Sequence, residues 1–439
     1  MRLGLAVLVL LQAATPRLAP ARRVTLAQAF HELCEGARAI PLQVAGSRHF
    51  VEVALSGPKG DGTLRFHVDT GGNTGGLLIN RSAAARLGFD SEADLPKRLR
   101  LGKTDVTLPA GARWTIFDDS AEAKQAISGQ ITRKNFSEGQ IGAGFLSRFT
   151  VCFDPAHGRM GLGESGAIMV DDEADWVPLI MIPGGPNKAL YPFVFARIGR
   201  GGYGLLVDTG ATTSMLETQV LVFQKGDHPD WPQATGAAGD ADMIAGQFAE
   251  LMLRAGSVKL SFPKNALSKV GLSAPPLIDL GSVLFVGRPE GTFYNMFGNL
   301  SYVGMPSGAL AGNVLNRYRF ILDYAHRRLW LERSGRPPDA SASMVRVGVA
   351  IGFGVDGCPI VTQVTDTNAQ PTRSEVRVGD VLLEVDGKDV CRIWHHEISA
   401  ALAGSVGQMK ALKLRRGRKV REVSVPVVDL LSAPTAPPQ

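Results

Sequence analysis

The sequence predicts a mainly β fold made of two similar lobes, followed by a smaller unit of mixed α and β structure. Three observations support this prediction. One strand-and-turn pattern occurs twice between residues 40 and 332, a Pro- and Gly-containing stretch follows, and a different pattern of short strands begins near residue 344. A chain of 439 residues is long enough for two or three domains.

The composition is that of an ordinary globular protein. The chain is 45% hydrophobic and 20% charged, which excludes disordered, coiled-coil and collagen-like proteins. The net charge is +6, and most basic residues are scattered along the chain. The one dense basic run, at 413–421, centres on Gly417 and is typical of a solvated hairpin, so no nucleic-acid partner is expected.

The first 21 residues have the pattern of a signal peptide. Arg2 precedes an apolar run at 3–11, and small residues at 19–21 offer a cleavage site. This run is too short for the roughly 20 residues of a membrane span, and no later segment is long enough. We therefore expect export, to the periplasm or to the outside of the cell, and no membrane span.

Four cysteines are too few for a disulfide scaffold and lack the spacing of a metal site. They leave room for a single bridge between Cys358 and Cys391.

An internal duplication determines the predicted architecture. The first copy opens at Ile40, continues through a strand-like segment at 50–53 and reaches Asp-Thr-Gly at 69–71. The second opens at Val177, continues through 193–196 and reaches Asp-Thr-Gly at 208–210. In both copies an apolar strand precedes a turn, so the two triplets occupy equivalent positions.

A second shared block closes each copy, at 139–149 and 308–318. Five pairs of identical residues keep a constant separation of 169: Leu146 and Leu315, Arg148 and Arg317, Asp154 and Asp323, His157 and His326, Leu162 and Leu331. The triplets are only 139 apart, so the second copy carries about 30 more residues before its closing block. We expect this insertion within 226–306, as surface loops.

A single Asp-Thr-Gly triplet is weak evidence, because all three residues favour turns. Two triplets, each at the end of an apolar strand of a duplicated β unit, resemble the active-site loops of aspartic proteases of the retropepsin type, here on one chain. The resemblance covers residues 38–332. It implies two β-barrel lobes with a pseudo-twofold relation, at 22–166 and 167–332, and a polypeptide substrate.

By this resemblance Asp69 and Asp208 form a catalytic pair. Two nearby carboxyl groups cannot both ionise readily, so they share one proton and provide a base and an acid together. One activates a water molecule while the other donates a proton to the carbonyl oxygen of the peptide. The resemblance implies no metal and no cofactor.

The other triplet residues have supporting roles. Gly71 and Gly210 allow their backbone N–H groups to approach the carboxylates. In the family the threonine hydroxyls, here those of Thr70 and Thr209, bond across the lobe interface.

Two positions depart from the family pattern. Gly72 stands where alanine or serine is usual, and Ala311 occupies the position of Gly142. The sequence therefore leaves a second hypothesis open, a catalytically inactive protein that binds peptides in an eroded cleft.

After a linker at 333–343, residues 344–430 resemble a PDZ domain, and 431–439 form a tail. The marker is the run at 377–390, in which the turn Gly379-Asp380 leads into a strand and Asp386-Gly387 makes a hairpin turn.

A PDZ domain binds a peptide as an added strand, and a Gly-rich loop receives its terminal carboxylate. The loop of Ile351, Gly352, Phe353 and Gly354 is the candidate for this role. Alternatively, the groove binds segments of the chain itself, or the unit only braces the lobes.

Overall fold

The computed structural model describes residues 21–431, except for 73–74, 120–136, 172–174, 185–188, 236–250, 262–276, 289, 298–305, 337–343, 355 and 366–369. The predicted signal peptide lies outside the described residues, apart from Ala21. The mainly β character of the chain is confirmed. Within the described ranges, no helix has the length and apolar character needed to cross a membrane.

The first lobe contains thirteen described strands and three described α-helices. Its strands are β1 (Arg22–Val24), β2 (Ile40–Pro41), β3 (Gln43–Ala45), β4 (Arg48–Gly57), β5 (Gly60–Asp69), β6 (Gly76–Asn80), β7 (Arg98–Leu101), β8 (Thr104–Thr107), β9 (Arg113–Phe117), β10 (Gly139–Gly142), β11 (Phe149–Asp154), β12 (Arg159–Glu164) and β13 (Ile168–Val170). Its helices are α1 (Leu26–Phe30), α2 (Arg81–Leu87) and α3 (Ala143–Leu146). A π-helical segment (His31–Glu35) continues α1, and a 3-10 turn (Glu92–Asp94) precedes β7.

The second lobe repeats this plan. Its described strands are β14 (Trp176–Pro178), β15 (Ile180–Gly184), β16 (Ala189–Ile198), β17 (Gly201–Val207), β18 (Ser214–Glu217), β19 (Gln233–Thr235), β20 (Leu251–Leu260), β21 (Ile278–Arg288), β22 (Pro306–Leu310), β23 (Tyr318–Asp323) and β24 (Arg328–Arg333). Its described helices are α4 (Thr218–Asp227), α5 (Thr292–Phe297) and α6 (Gly312–Leu315).

The pairing of the strands bears out the duplication. In the first lobe β5 pairs in parallel with β10, which pairs antiparallel with β6, which pairs in parallel with β9. In the second lobe β17, β22, β18 and β21 follow one another with the same directions. Two segments separated by more than a hundred residues therefore fold to one topology, with the triplets after β5 and β17.

A six-stranded sheet, in the order β14-β24-β23-β11-β12-β2, joins the lobes. At its centre β11 pairs antiparallel with β23, with Cys152 opposite Ile321. These two positions are 169 apart, the separation of the repeat. Equivalent residues therefore face each other, and a pseudo-twofold axis relating the lobes passes through this pair.

The stretch in which the insertion was expected also contains two strands of the second lobe. The stretch 226–306 contributes the long strands β20 and β21, which pair over most of their length. Leu253, Val258 and Phe285 on these strands are buried in the main core. These strands belong to the repeated plan, because β20 pairs with β16 and β21 with β18 as β7 pairs with β4 and β9 with β6 in the first lobe. The prediction that the extra residues form surface loops therefore stays a prediction. Residues 236–250 and 262–276 lie outside the description.

The N-terminal segment packs on the joining sheet. The side chain of Thr25 caps α1 by accepting a hydrogen bond from the backbone N–H of Gln28 at 3.2 Å. Phe30 and Cys34 share a buried cluster with Trp330 of β24. A disulfide joins Cys34 to Cys152 of β11 and fixes this segment to the sheet.

The C-terminal unit has its own core and a six-stranded sheet. Its described elements are β25 (Val345–Arg346), β26 (Val349–Phe353), β27 (Pro359–Val364), β28 (Val381–Val385), β29 (Lys388–Asp389), β30 (Met409–Arg416), β31 (Lys419–Pro426), β32 (Val428–Asp429), α7 (Gln370–Glu375) and α8 (His395–Leu402). The sheet has the order β26-β27-β28-β30-β31, with β29 beside β28, while β25 and β32 pair separately.

Two details of this unit follow from its sequence. Asp386 and Gly387 have φ values of 50° and 76°, and this left-handed backbone makes the tight turn between β28 and β29. A disulfide joins Cys358 to Cys391. The structure thus has two disulfides, whereas the sequence analysis left room only for the second.

Candidate active site

The structure brings the two predicted carboxylates together. Asp69 ends β5, Asp208 follows β17, and the loops after them meet where the lobes face each other. A Cβ placed on Gly71 would lie only 2.6 Å from Cγ of Asp208, and one on Gly210 would overlap the carboxylate of Asp69. Each glycine therefore gives the carboxylate of the opposite lobe the space it occupies.

The threonines hold the two loops together. The backbone N–H of Thr70 donates to Oγ1 of Thr209 at 3.1 Å, and the N–H of Thr209 donates to Oγ1 of Thr70 at 3.0 Å. Each hydroxyl also donates to a strand carbonyl of the other lobe, that of Val207 at 2.6 Å and that of Val68 at 2.9 Å. Both threonines are fully buried, so these bonds fix the relative positions of the loops.

Each carboxylate also accepts a bond within its own triplet. The N–H of Gly71 donates to Oδ1 of Asp69 at 2.9 Å, and the N–H of Gly210 donates to Oδ1 of Asp208 at 2.8 Å. All six predicted triplet residues thus meet in one small site. The short helices α3 and α6 support the loops from behind, because the N–H of Ala143 donates to the carbonyl of Gly72 and the N–H of Gly312 to that of Ala211.

The alanine at position 311 is compatible with this arrangement. Gly142 and Ala311 each precede the first residue of a helix, with φ values of −107° and −117°. These are extended backbone conformations that alanine adopts without strain. The difference between the two closing blocks therefore leaves the support of the loops unchanged.

Asp69 has a neighbour that Asp208 lacks at the equivalent position. The side-chain amide Nε2 of Gln140 donates a hydrogen bond to Oδ2 of Asp69. A Cβ on Gly72 would overlap Oδ2 of Asp69 and lie 2.8 Å from Nε2 of Gln140. The unusual glycine thus makes room for the glutamine. In the second lobe Ala211 and Ala309 occupy the corresponding positions.

Asp208 is the more buried carboxylate, 7% exposed, while Asp69 is half-buried. Burial, and next the negative charge of Asp69, raise the pKa of Asp208 well above its ordinary value. The N–H of Gly210 and the positive charge of Arg48 act in the opposite direction. The pKa of Asp208 therefore favours the protonated form at a pH at which an exposed aspartate is ionised.

Two further residues flank the pair, and the sequence analysis missed both. Arg48 of β4 donates from Nε to the carbonyl of Gly210 at 3.1 Å. Tyr191 of β16 is buried, and burial together with the charge of Asp69 raises its pKa to about 12. Phe50 pairs with His67 and Phe193 pairs with Leu206, so Arg48 and Tyr191 hold equivalent positions in the two lobes. The sequence did contain a sign of this equivalence, because Arg48 and Tyr191 each lie two residues before a phenylalanine of the repeat.

A second buried arginine lies on the side of the second lobe. Arg288, at the end of β21, is fully buried, and its Nε lies 3.2 Å from Sδ of Met215. Burial lowers its pKa to about 10, while the negative charge of Asp208 raises it. Arg48 and Arg288 thus both interact electrostatically with Asp208.

The predicted carboxylate loop of the C-terminal unit requires a correction. Ile351, Gly352 and Phe353 lie in β26, an edge strand of the described sheet, and pair with β27. Gly354 follows this strand, and its N–H donates to the carbonyl of Cys358 at 2.9 Å. The prediction of a loop was wrong for the first three residues, because β27 continues the pairing as far as Pro359. The unpaired side of β26 is the edge to which a peptide strand can add.

Within the described part of the chain, no three His, Cys, Asp or Glu side chains cluster in a way that could hold a metal ion.

Comparisons with known proteins give only remote likenesses. No family model matches the chain, and no curated protein matches it. Among solved structures, the chain is similar to an aspartic proteinase from Irpex lacteus, with 13% identity and a TM-score of 0.34 over 67% of this chain and 96% of that one. It is also similar to the basic 7S globulin from soybean, with 12% identity and a TM-score of 0.38 over 67% of this chain and 95% of that one. At such values the function has to be argued from the geometry of the site.

Proposed function

We propose that the protein is an exported aspartic endopeptidase that hydrolyses peptide bonds with Asp69 and Asp208. The observation that carries the proposal is the meeting of the two triplets, in which each glycine lies against the carboxylate of the opposite lobe. Two carboxylates held in this way can share one proton and act as base and acid in one step.

The surroundings of the pair support a division of roles. Asp69 accepts bonds from the N–H of Gly71 and the amide of Gln140, and both donors stabilise its ionised form. The raised pKa of Asp208 favours its neutral form. In the proposed reaction Asp69 takes a proton from water as the water oxygen bonds to the peptide carbonyl carbon, while Asp208 donates its proton to the carbonyl oxygen.

The second step returns the protons. The C–N bond breaks, the nitrogen leaves as an amine after accepting the proton held by Asp69, and the hydroxyl proton from the former carbonyl oxygen returns to Asp208. The pair then holds one proton, as it did at the start. Activity therefore falls as the pH rises through the raised pKa of Asp208, because the acid is then lost.

Export fits the two disulfides, Cys34–Cys152 and Cys358–Cys391, since such bonds persist in oxidising compartments. We further propose that the C-terminal unit acts as a PDZ domain, with β26 as the edge strand that receives a peptide.

The test is cleavage of a mixed peptide library across a range of acid to neutral pH, read by mass spectrometry. We expect Asp69→Asn and Asp208→Asn each to abolish cleavage, because neither variant retains both a base and an acid. Asp61→Asn is the matched control, since Asp61 is an exposed aspartate near the start of β5, at the opposite end of the strand from Asp69. Cleavage that persists in both active-site variants would contradict the proposal. Peptide binding without cleavage in the native chain would favour the inactive peptide-binding hypothesis.

A further inference from the structure

The tip of the hairpin between β3 and β4 reaches from the first lobe onto the second. Gly46 and Ser47 form its turn, and both have a φ of 60°, the left-handed backbone of a tight two-residue hairpin. Loop tips usually lie exposed at the surface, whereas Ser47, Arg48 and His49 are all buried. Thr212 donates from Oγ1 to the carbonyl of Gly46 at 2.8 Å, so the second lobe covers this tip.

Asn316, just after α6 of the second lobe, holds the tip at two points. Its Nδ2 donates to the carbonyl of Ser47 at 2.8 Å, and its Oδ1 lies 2.6 Å from Nε2 of His49. Between these two residues lies Arg48, which donates from Nε to the carbonyl of Gly210 at 3.1 Å. Asn316 therefore fixes the chain on both sides of the arginine that reaches the second triplet.

The bond between His49 and Asn316 has a defined direction. Since Nδ2 of Asn316 donates to Ser47, its Oδ1 is the atom that accepts, and Nε2 of His49 donates. Burial lowers the pKa of His49 to about 4, an effect that the charge of Arg336 reinforces and the bond to Asn316 opposes. The ring is therefore neutral near neutral pH. It stacks on Phe153 of β11, with the ring centres 5.2 Å apart.

The equivalent hairpin of the second lobe, between β15 and β16, is attached differently. Asn316 corresponds to Ser147 at the separation of 169, and Oγ of Ser147 accepts a bond from the N–H of Leu190 at 3.4 Å. The position of His49 is taken by Pro192, whose side chain cannot donate. The grip on both sides of the flanking residue is thus a feature of the first-lobe hairpin.

A glycine of the second lobe allows the tip to come this close. A Cβ on Gly312 would lie 1.7 Å from the carbonyl oxygen of Ser47. The equivalent residue of the first lobe is Ala143, which carries a Cβ. The start of α6 therefore has the space that the first-lobe tip requires.

We propose that His49 and Asn316 are positioning residues, which hold the hairpin tip so that the guanidinium of Arg48 stays at the second triplet and its charge acts on Asp208. The inference rests on the proposed function, because it gives these two residues a part in setting the acid of the pair. They touch neither carboxylate in this role and act through Arg48.

Positioning and a merely structural role have opposite effects on Asp208. Among the described charged groups that act on it, namely Asp69, Arg48 and Arg288, Arg48 alone lies on this hairpin. Its withdrawal removes a nearby positive charge and so raises the pKa of Asp208. A general loosening of the lobes would instead admit water to Asp208 and move Asp69 away, and both changes lower that pKa. The direction of the shift therefore separates the two roles.

The experiment is a pH titration of the full chain, labelled with ¹³C at the aspartate carboxyls and followed by NMR. The signal of Asp208 is the one that Asp208→Asn lacks, and its upper midpoint belongs to the pair. His49→Leu removes the donor and should raise this midpoint by most of the shift that Arg48→Met produces. His49→Gln keeps an N–H donor and should titrate close to the native chain. The double variant of Arg48→Met and His49→Leu should titrate as Arg48→Met does.

Ser147→Ala is the matched control, since Ser147 holds the position of Asn316 in the first lobe. The hairpin that it contacts carries the uncharged Tyr191, so the midpoint should not move. An unchanged or lowered midpoint in His49→Leu, or a shift that adds to that of Arg48→Met, would overturn the inference. If His49→Leu does not fold, Asn316→Ser decides by the same criteria, because it gives the second lobe the residue of the first.

Peptide cleavage is measured separately on the native chain. The expected shifts in a chain that cleaves no peptide would contradict the proposed function alone. Cleavage by a chain in which the midpoint fails to rise in His49→Leu would overturn this inference alone.

Discussion

The two lobes have one backbone plan but surround their carboxylates differently. In the first lobe Gly72 leaves space for the amide of Gln140, which donates to Asp69. In the second lobe Ala211 and Ala309 are buried at the corresponding positions, beside Asp208. The hydrogen bonds of the triplets that hold the loops together are therefore the same in both lobes. The residues that surround each carboxylate differ between the lobes.

The flanking pair differs in the same way. Arg48 donates to the triplet of the opposite lobe, and its charge lowers the pKa of Asp208. The equivalent Tyr191 is neutral at ordinary pH, and the negative charge of Asp69 helps to keep it so. A pair built from two equal halves thus becomes unequal through the residues at three pairs of equivalent positions, which is what a division into acid and base requires.

Among the residues that differ between the lobes, Gly72 is expected to give the largest effect when it is replaced by alanine. Its new Cβ would overlap Oδ2 of Asp69 and crowd Gln140, so kcat/KM should fall by roughly 10²-fold or more. Adding Gln140→Ala makes the first lobe resemble the second and should restore much of the loss. Steady-state kinetics of the two single variants and the double variant checks this. Losses that simply add would contradict the coupling of Gly72 and Gln140.

A smaller loss, of about tenfold to a hundredfold in kcat, is expected from Gln140→Ala alone, since it removes one hydrogen bond to a charged group. Without that donor the ionised form of Asp69 is less stable, so the acidic limb of the pH profile of kcat/KM should move to higher pH. An acidic limb that stays in place would show that Gln140 has no influence on the ionisation of Asp69.

Arg48→Met should shift the high-pH limb of the pH profile of kcat/KM. Loss of this positive charge raises the pKa of Asp208 further, so the fall in activity at high pH should occur at a higher pH. Arg48→Lys retains the charge and is the matched control, with a profile close to that of the native chain. The comparison is made by measuring kcat/KM against pH for all three proteins. Equal profiles for the methionine and lysine variants would contradict an electrostatic role.

The smallest effect concerns stability. The folded-state pKa of Asp208 is raised above its ordinary value of 3.8, so its contribution to stability is fully present below that value and is lost as the pH rises through the raised pKa. Asparagine at position 208 cannot ionise, so Asp208→Asn does not lose stability as the pH rises. The Tm of this variant at neutral pH should exceed that of the native chain by about 2 °C or more. Calorimetry should find that the difference decreases as the pH is lowered towards 3.8. A variant less stable than the native chain at neutral pH would contradict the burial argument.

The repeat made much of the fold predictable. The strand and turn periods around 69–71 and 208–210, and the constant separation of 169, anticipate two lobes of one plan. The meeting of the triplets was implied by the resemblance to aspartic proteases. The hairpin turn at Asp386-Gly387 was equally predictable from the sequence, because few residues tolerate its left-handed backbone.

The neighbours of the carboxylates were not predictable from local patterns. Arg48 and Tyr191 act across the lobe interface, on residues 160 and 122 positions away in the chain. Gly72 looked like a departure from the family pattern, since the reason for it, Gln140, lies on another strand. The burial of Leu430 and Leu431 depends on contacts with the second lobe, which the composition of the C-terminal unit does not reveal.

The central claim is that the pair holds one proton and that Asp208 carries it. Isotope-edited infrared spectroscopy of the protein with ¹³C-labelled aspartate carboxyls tests this directly, by subtracting the spectra of Asp208→Asn and Asp69→Asn from that of the native chain. At a pH at which exposed aspartates are ionised, the account predicts a neutral carboxyl band that the Asp208→Asn difference assigns to Asp208. A pair without such a band, or a neutral band that belongs to Asp69, would contradict it.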